Sequence, residues 1–174
     1  HLHNHSEYSM LDGAARIKQL VAKAAELEMP AIAITDHGNN HGAYEFWNQA
    51  KAHDINPVIG IEAYLAPGSR KDKTRVRWGD GGGDDVSGGG AYSHLTMWAT
   101  NNDSMQNLFR LSSEAYLSGY YFKPRMDREL LSKFGKGLIA TTGCPGGEVQ
   151  TRLRLGQYQE ALDTAAEFRD IFGE

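Results

Sequence analysis

Residues 31–38 of the 174-residue chain read Ala-Ile-Ala-Ile-Thr-Asp-His-Gly, an apolar run that ends in a carboxylate and an imidazole. Such a short, partly β-branched run indicates a buried strand. A helix is predicted before it, from the spacing of Ile17, Leu20, Val21 and Ala24. Ionisable side chains at the end of a buried strand cost desolvation energy unless they are paired or ligated. This stretch therefore predicts an α/β fold with a functional group at a strand end.

The alternation of strand and helix recurs along the chain. Further strands are expected at 1–3, 57–61, 94–99 and 137–141. Helices are expected around Tyr44–Ala50, Leu108–Ala115 and Leu130–Phe134, and two more near the C-terminus, the last with one face made of Tyr158, Ala161, Leu162, Ala165 and Phe172. Repeated βα units predict a parallel sheet that is either open or closed into a barrel.

Residues 67–90 interrupt this pattern. The first half of the segment is basic, and the second half is glycine-rich; the basic residues are Arg70, Lys71, Lys73, Arg75 and Arg77. We expect a mobile surface loop whose glycine-rich half does not pack. A loop of this length is either functional or a plain insertion, and the sequence favours neither.

Composition excludes several classes of protein. With 40% hydrophobic and 23% charged residues, the chain has the composition of one globular domain. No apolar run is long enough to predict a membrane span. A single Cys cannot form an internal disulfide, so a reducing, cytoplasmic setting is expected. The net charge of −4 argues against binding nucleic acid through overall basicity, and three of the seven His lie within the first five residues.

Most potential metal ligands follow the predicted strands. They are His3 and His5, Asp36 and His37, Glu62, and Cys144. Sites in α/β proteins form where parallel strands end, so these side chains are expected to converge. His3 and His5 are two residues apart, which places both imidazoles on one face of an extended segment. His94 stands at the start of its predicted strand and fits the pattern only if that strand begins later or is short.

Several of these residues also have a structural interpretation. The N-terminal histidines could be the remnant of a purification tag, although the ordered-looking residues 7–12 weaken that reading. Asp12 suits a helix N-cap. His94 could be a hydrogen-bonded core histidine, and Cys144 a small buried hydrophobe. Against this, Pro145 and the glycines after Cys144 indicate a helix N-terminus, which would favour the thiolate.

The mixed ligand set is larger than one tetrahedral zinc site requires. It predicts two or three divalent ions, with zinc, manganese and iron all compatible, in an arrangement suited to phosphoryl displacement. Such chemistry also needs a cation, which Lys123 or Arg125 could supply. The alternative is a solvated turn before a helix capped by Asp127, but the neighbouring aromatics at 120–122 could stack on bases.

Taken together, three motifs resemble the PHP (polymerase and histidinol phosphatase) superfamily: residues 1–13, 34–38 and 60–64. Residues 107–112, 119–125 and 137–144 narrow the resemblance to the PHP domains at the N-terminus of bacterial DNA polymerase III alpha subunits. Apart from the glycine-rich loop, nearly the whole chain takes part in it. Residues 1–174 are thus expected to be the N-terminal PHP domain of a longer polymerase chain.

The resemblance implies a distorted (β/α)7 TIM-like barrel with a metal site at the strand ends. Carried over by position, the ligands are His3, His5, Asp12, His37, Glu62, His94 and Cys144, which reverses the preference for Asp12 as a cap. The family's further Asp-x-His motif does not occur here, so the resemblance implies a barrel incomplete at its C-terminus.

The resemblance also implies a function in DNA replication. Members that retain the ligands are 3′→5′ proofreading exonucleases, in which metal-activated hydroxide attacks the 3′-terminal phosphodiester; Lys123 or Arg125 would stabilise the charge. The implied partners are DNA at the primer 3′ end, the rest of the polymerase chain and replisome subunits such as the sliding clamp, with no membrane. Two alternatives stay open: a metal-stabilised scaffold without catalysis, and a stand-alone phosphoesterase acting on a small phosphate.

Overall fold

A computed structural model of the chain describes residues 1–80 and 85–173. Five strands and seven helices alternate along this part of the chain. In order they are α1 (Ile17–Glu26), β1 (Ala31–Ile34), α2 (Ala43–Ala52), β2 (Asn56–Leu65), α3 (Ser87–Gly90), β3 (Ser93–Ala99), α4 (Asn102–Ser118), β4 (Arg125–Met126), α5 (Arg128–Phe134), β5 (Leu138–Thr141), α6 (Glu148–Arg154) and α7 (Tyr158–Phe172). The α/β class is confirmed.

The strands form one mixed sheet in the order β1-β2-β3-β5, with β4 beside the end of β2. β1 and β4 run parallel to β2, whereas β3 is antiparallel to both β2 and β5. The prediction of a parallel sheet is therefore wrong for β3. The connection agrees with this direction, because between β2 and β3 the described chain contains only the four-residue α3 and no crossover helix. Within the described residues β1 and β5 do not pair, so this sheet is not a closed barrel.

Residues 1–5 correct the first predicted strand. They run beside β1, where Ala33 N–H donates to His1 O (3.0 Å) and Thr35 N–H donates to Asn4 O (2.8 Å). The carbonyl of Ala33 instead accepts from the side chain of Asn4 (3.1 Å), so no regular ladder forms. The segment is nevertheless fixed at its position beside the sheet, because Trp98 Nε1 also donates to Leu2 O (2.9 Å).

The long strand β2 separates the hydrophobic core from the candidate site. Its residues Ile61, Ala63 and Leu65 pack into a buried cluster with β3, α4, α5 and α7. Glu62 and Tyr64 point to the opposite face, because side chains alternate along a strand. A second cluster joins α1 and α2 to β1 and the start of β2. The core thus fixes β2 on one side and leaves its other side to polar chemistry.

Residues 67–90 pack more than their composition suggests. Arg70 is buried, with its guanidinium 3.0 Å from Asp127 Oδ1 and 3.0 Å from Glu129 Oε2. Val86 and Gly90 in the glycine-rich half are buried too, contrary to the expectation that this half would not pack. The part of the predicted loop at 81–84 lies outside the described residues.

The structure tests two predictions about α5 and α7. Asp127 caps α5, accepting a hydrogen bond from Leu130 N–H (3.0 Å), as predicted. On α7 the prediction holds for Ala161, which is buried, but Tyr158 and Leu162 are exposed, and Thr164 and Phe168 are the other buried residues. None of the helices in the described part of the chain combines the length and apolar character needed to cross a membrane.

Candidate metal centre

Glu62 lies at the middle of the predicted ligand set. Its side chain is only 3% exposed. Oε2 accepts from His3 Nε2 (2.7 Å) and from His5 Nε2 (2.6 Å), and Oε1 lies 3.0 Å from His94 Nδ1. Burial opposes ionisation of the carboxyl, but the hydrogen bonds from His5, His94 and His3 outweigh it and hold the pKa of Glu62 well below its usual range. This buried carboxylate therefore stays charged and holds three imidazoles together.

Asp12 forms the outer part of the cluster. Asp12 Oδ2 lies 2.8 Å from His37 Nδ1 and 3.2 Å from His5 Nδ1. It is not a helix cap, because α1 begins at Ile17 with Arg16 as its N-cap. The loop that presents Asp12 is fixed by the buried Asp36, whose oxygens accept from Ser6 and Ser9.

The pKa values of two histidines move in opposite directions. The hydrogen bond to Glu62 raises the pKa of His5, and the Asp12 carboxylate beside its second nitrogen adds to the increase. Burial lowers the pKa of His37. Because a carboxylate only accepts, the contact with Asp12 places the proton of His37 on Nδ1 and leaves a lone pair on Nε2. Within the described residues this buried Nε2 has no hydrogen-bond partner.

The donor set fits divalent metal ions. Three overlapping groups each bring their ligand atoms within 4.8 Å of one another: His3, His5 and Glu62; His5, Asp12 and His37; and His37, Glu62 and His94. The unpaired Nε2 of His37, 3.9 Å from Glu62 Oε1, is a donor that a metal ion would satisfy. Imidazole and carboxylate together suit zinc, manganese or iron. Six of the seven residues predicted as ligands thus lie in one cluster.

Cys144, the seventh, is next to this cluster, with Sγ 3.2 Å from His94 Nδ1. It precedes Gly147, the N-cap of α6, by three residues, so it does not occupy the helix N-terminus expected from the sequence. Burial, together with the neighbouring Glu62 carboxylate, raises the pKa of Cys144 to about 11. The thiol is therefore the favoured form without a metal ion, and the thiolate as a metal ligand stays a prediction.

His94 joins the cluster because β3 is reversed. In the antiparallel pair, His94 at the start of β3 stands opposite Tyr64 near the end of β2. The beginning of β3 thus lies at the edge where β2 ends. The same geometry places Cys144 there, because β5 is antiparallel to β3 and runs in the direction of β2. The direction of β3 therefore explains why His94, at the start of its strand, lies with ligands that follow theirs.

A cleft of about 610 Å³ opens above the cluster, with Asp12, His37 and His94 in its wall. Lys123 also lines it, and its Nζ lies 5.6 Å from the ring centre of Tyr64. Tyr64 in turn stacks on His37, with ring centres 4.5 Å apart. Of the two predicted cations, Lys123 is therefore the one beside the cluster.

Arg125 corrects the other half of that prediction. It is 1% exposed. Its guanidinium donates to four backbone carbonyls, those of Arg70, Ala91, Gly119 and Asp72. These contacts engage the guanidinium away from the cleft, so its role in the structure is to hold backbone segments together.

The sequence interpretation missed the aromatic residues of the cleft. Tyr64 covers His37, and Tyr92 stacks on His94 with ring centres 5.8 Å apart. Both lie two residues from a predicted ligand, Tyr64 after Glu62 and Tyr92 before His94, so the two-residue period of a strand could have identified them. Tyr8 and Tyr116 complete the aromatic part of the lining.

Cys144 gives a prediction about proton release. At pH 7 a thiol with a pKa of about 11 is protonated, so binding a metal through the thiolate must displace that proton. We expect metal titration of the wild-type protein to release about one proton more than titration of Cys144→Ala. The apparent metal affinity of the wild type should also rise more steeply with pH. Calorimetry in two buffers of different ionisation enthalpy measures the difference, and equal release by both proteins would remove Cys144 from the ligand set.

The chain matches a known protein family. A family model described as "PHP domain" matches residues 1–174. The chain is 59% identical over 182 residues to the DNA polymerase III subunit alpha of Saccharopolyspora erythraea and 57% identical over 176 residues to that of Mycobacterium tuberculosis. Each alignment covers 99% of this chain but 15% of the relative, so the chain spans about 15% of the length of these curated relatives.

Similarity to solved structures is weaker. An amidohydrolase from Chromobacterium violaceum matches with a TM-score of 0.39 and 20% sequence identity. The match covers 65% of this chain and 33% of that protein.

Proposed function

This chain belongs to the PHP domain family, and we propose that it is the metal-dependent phosphodiesterase module of a DNA polymerase III alpha subunit, removing nucleotides from a 3′ end during proofreading. The observation that carries the proposal is the cluster itself: four histidines and two carboxylates meet below a cleft that also contains a lysine. The relatives, which are DNA polymerase III alpha subunits, make the 3′ end of DNA the substrate to test first.

Different residues of the chain would have different roles in this reaction. His3, His5, Asp12, His37, Glu62, His94 and Cys144 would hold the ions. Bound divalent ions supply a hydroxide nucleophile and stabilise charge on phosphate oxygens. Lys123, which lines the cleft, would bind a nonbridging phosphate oxygen, and Asp36 keeps the loop with Asp12 in place. Tyr64 and Tyr92 keep two imidazoles in orientation by stacking.

The test is hydrolysis of a primer from its 3′ end by the full-length protein that carries this chain. We expect metal-dependent release of nucleotides that His3→Ala or Asp12→Asn abolishes. If the intact protein binds metal, gains thermal stability from it and releases no nucleotide, the chain is a scaffold and the proposal fails. Preferential turnover of a small phosphate monoester such as histidinol phosphate would instead favour the stand-alone phosphoesterase.

Lys123 gives a prediction for the chemical step. Replacing Lys123 with methionine should lower kcat for a small phosphodiester by about 100-fold, the usual effect of losing one charge-stabilising donor. The thermal unfolding temperature should stay unchanged, because the described structure gives the Lys123 ammonium no hydrogen bond or ion pair, and the Tyr64 ring centre lies 5.6 Å away. Lys136→Met, at an exposed position outside the cleft, is the matched control. An unchanged kcat would exclude Lys123 from the reaction.

We also propose that the sheet continues past β5 towards the distorted (β/α)7 barrel of the family. In the described structure β5 pairs with β3 on one side only, and Ile139 in it is 56% exposed. An edge strand with an exposed apolar side chain is a suitable surface for pairing with another strand. A structure of the full-length protein in which no strand pairs with β5 would contradict this.

A further inference from the structure

A row of cations lies at the surface, outside the lining of the cleft. Lys71, Lys73, Arg75 and Arg77 occur at every second residue, and all four are exposed. We call these four residues the basic strip. The ion pairs found among the described residues include none of them. In a chain with a net charge of −4, the strip is a local concentration of positive charge, with only Asp72 opposing it within residues 71–77.

The basic strip is anchored at both ends. On one side Arg70 is buried against Asp127, and the carbonyls of Arg70 and Asp72 accept from Arg125. On the other side Val76 N–H donates to Gly90 O (2.9 Å). The cations are therefore presented from a backbone that is held in place, which lowers the ordering cost of binding a ligand.

Phe122 lies beside the strip and is 53% exposed. Its backbone has a φ of 62°, a left-handed conformation that is unfavourable for a bulky residue. Strain of this kind persists where the surroundings enforce it, commonly at functional positions. The guanidinium carbon of Arg75 is 4.7 Å from the centre of the Phe122 ring. An exposed aromatic ring and a cation thus stand together at the surface.

The chain itself links Phe122 to the metal cluster. Lys123, the residue after Phe122, lines the cleft and contacts Tyr64, which stacks on His37. A polymer with alternating anionic groups and flat rings could follow this path into the cleft. In a duplex the base faces are covered by stacking, so an exposed aromatic ring fits an unpaired strand better.

We infer that the basic strip and Phe122 form the track along which a single-stranded polynucleotide reaches the metal centre, a proposal that rests on the proposed phosphodiesterase function. The strip would bind backbone phosphates, which gives no sequence preference. Phe122 would stack on one base. The class of substrate is then an unpaired strand that ends in the cleft.

The test compares three substrates on the full-length protein: a 16-mer of thymidylate, an abasic deoxyribose phosphate strand of equal length, and bis(p-nitrophenyl) phosphate. The last substrate reports on the metal centre alone, since it has no strand to bind. Two variants are compared. The strip variant carries Lys73→Glu and Arg75→Glu together, and the second variant carries Phe122→Ala alone. The charge-matched control is Lys18→Glu with Lys51→Glu, at two exposed positions outside the strip and the cleft lining. A His37→Ala background corrects for contaminating nucleases.

The strip variant should raise KM for both strands by about tenfold or more and leave kcat/KM for bis(p-nitrophenyl) phosphate unchanged. Removing two phosphate contacts should also reduce the slope of log(kcat/KM) against log[salt] by about 1.4, at about 0.7 per contact. Phe122→Ala should raise KM for the thymidylate strand by about fivefold or more, the lower end of the effect of one stacked base. It should leave the abasic strand unaffected.

Several results would overturn the track. If the control variant weakens the strands equally, the effect is one of overall charge. If the strip variant slows bis(p-nitrophenyl) phosphate as much as the strands, it damages the metal centre instead. Equal effects of Phe122→Ala on both strands, with polyglutamate competing as well as thymidylate, would indicate an acidic protein partner. If the wild type hydrolyses none of the substrates, the proposed function fails, and binding of the labelled 16-mer by the same variants then decides the track separately.

Discussion

Replacing Glu62 with glutamine is expected to abolish metal-dependent hydrolysis and most metal binding. Glu62 belongs to two of the three groups of potential ligands and contacts His3, His5 and His94. Loss of a residue that only orients a ligand commonly reduces metal affinity by about 10–100-fold. Loss of a central ligand should exceed that, so we expect at least about a hundredfold loss of affinity. The measurement is a metal titration followed by hydrolysis of a primer 3′ end.

The control for this substitution is Glu26→Gln, which removes an exposed carboxylate of α1 that pairs with Lys23. It should bind metal and hydrolyse DNA like the wild type. Wild-type affinity and rate in Glu62→Gln would show that the cluster is not the metal centre. Loss of metal binding without any hydrolysis in the wild type would leave Glu62 with a structural role only.

Glu62 also gives an expected pH dependence for the metal-free protein. Its pKa is lowered in the folded state, so the ionised form favours folding. That stabilisation is present above the unfolded pKa of about 4.3 and is lost as the pH falls towards the lowered folded value. Glu62→Gln cannot titrate. The decline in unfolding temperature below about pH 4.3 should therefore be shallower in Glu62→Gln than in the wild type.

The sequence indicated Glu62 as a potential metal ligand, because a carboxylate inside an apolar strand needs a cation. His3 and His5 were predictable for a similar reason, since two residues of extended chain bring both imidazoles to one side. In both cases the information is local. The structure adds the partner. Both imidazoles contact the Glu62 carboxylate, which lies 59 residues from His3 and 57 residues from His5 in the sequence.

The direction of β3 was not predictable in this way. Residues 67–90 are long enough to cross the sheet or to turn back, and hydrophobic pattern is the same for both directions. The observed connection packs through contacts far apart in sequence, such as those of Arg125 with the carbonyls of Arg70 and Ala91. The position of His94 in the cluster depends on that direction, which explains why its role stayed ambiguous from sequence alone.

Lys123 and Arg125 illustrate the same limit at short range. They stand two residues apart, Lys123 directly after the aromatic run 120–122 and Arg125 at the start of β4. Phe122 has a φ of 62°, and Tyr121 N–H donates to Lys123 O (3.1 Å). This turn leaves Lys123 in the cleft lining and Arg125 under the surface. Residue type alone could not separate the two.

Replacing Arg125 with methionine should therefore destabilise the fold. The four backbone carbonyls that now accept from the guanidinium would lose their donor inside the protein. Removing the charged partner from a buried polar network typically costs about 3–5 kcal/mol. For a chain of this length that corresponds to a fall of about 6–20 °C in unfolding temperature. Arg125→Lys should be intermediate, because an ammonium keeps the charge but cannot reach four carbonyls in the geometry of a guanidinium.

Comparing Lys123→Met with Arg125→Met separates the roles of the two cations. It should lower kcat and leave the unfolding temperature unchanged, whereas Arg125→Met should lower the unfolding temperature. Measured well below that temperature, hydrolysis of a small phosphodiester by Arg125→Met should exceed that by Lys123→Met, because the former keeps the cleft cation. The reverse result, with Arg125→Met stable but inactive, would mean that the guanidinium leaves its carbonyls to contact the substrate, and the division of roles between the two cations would be wrong.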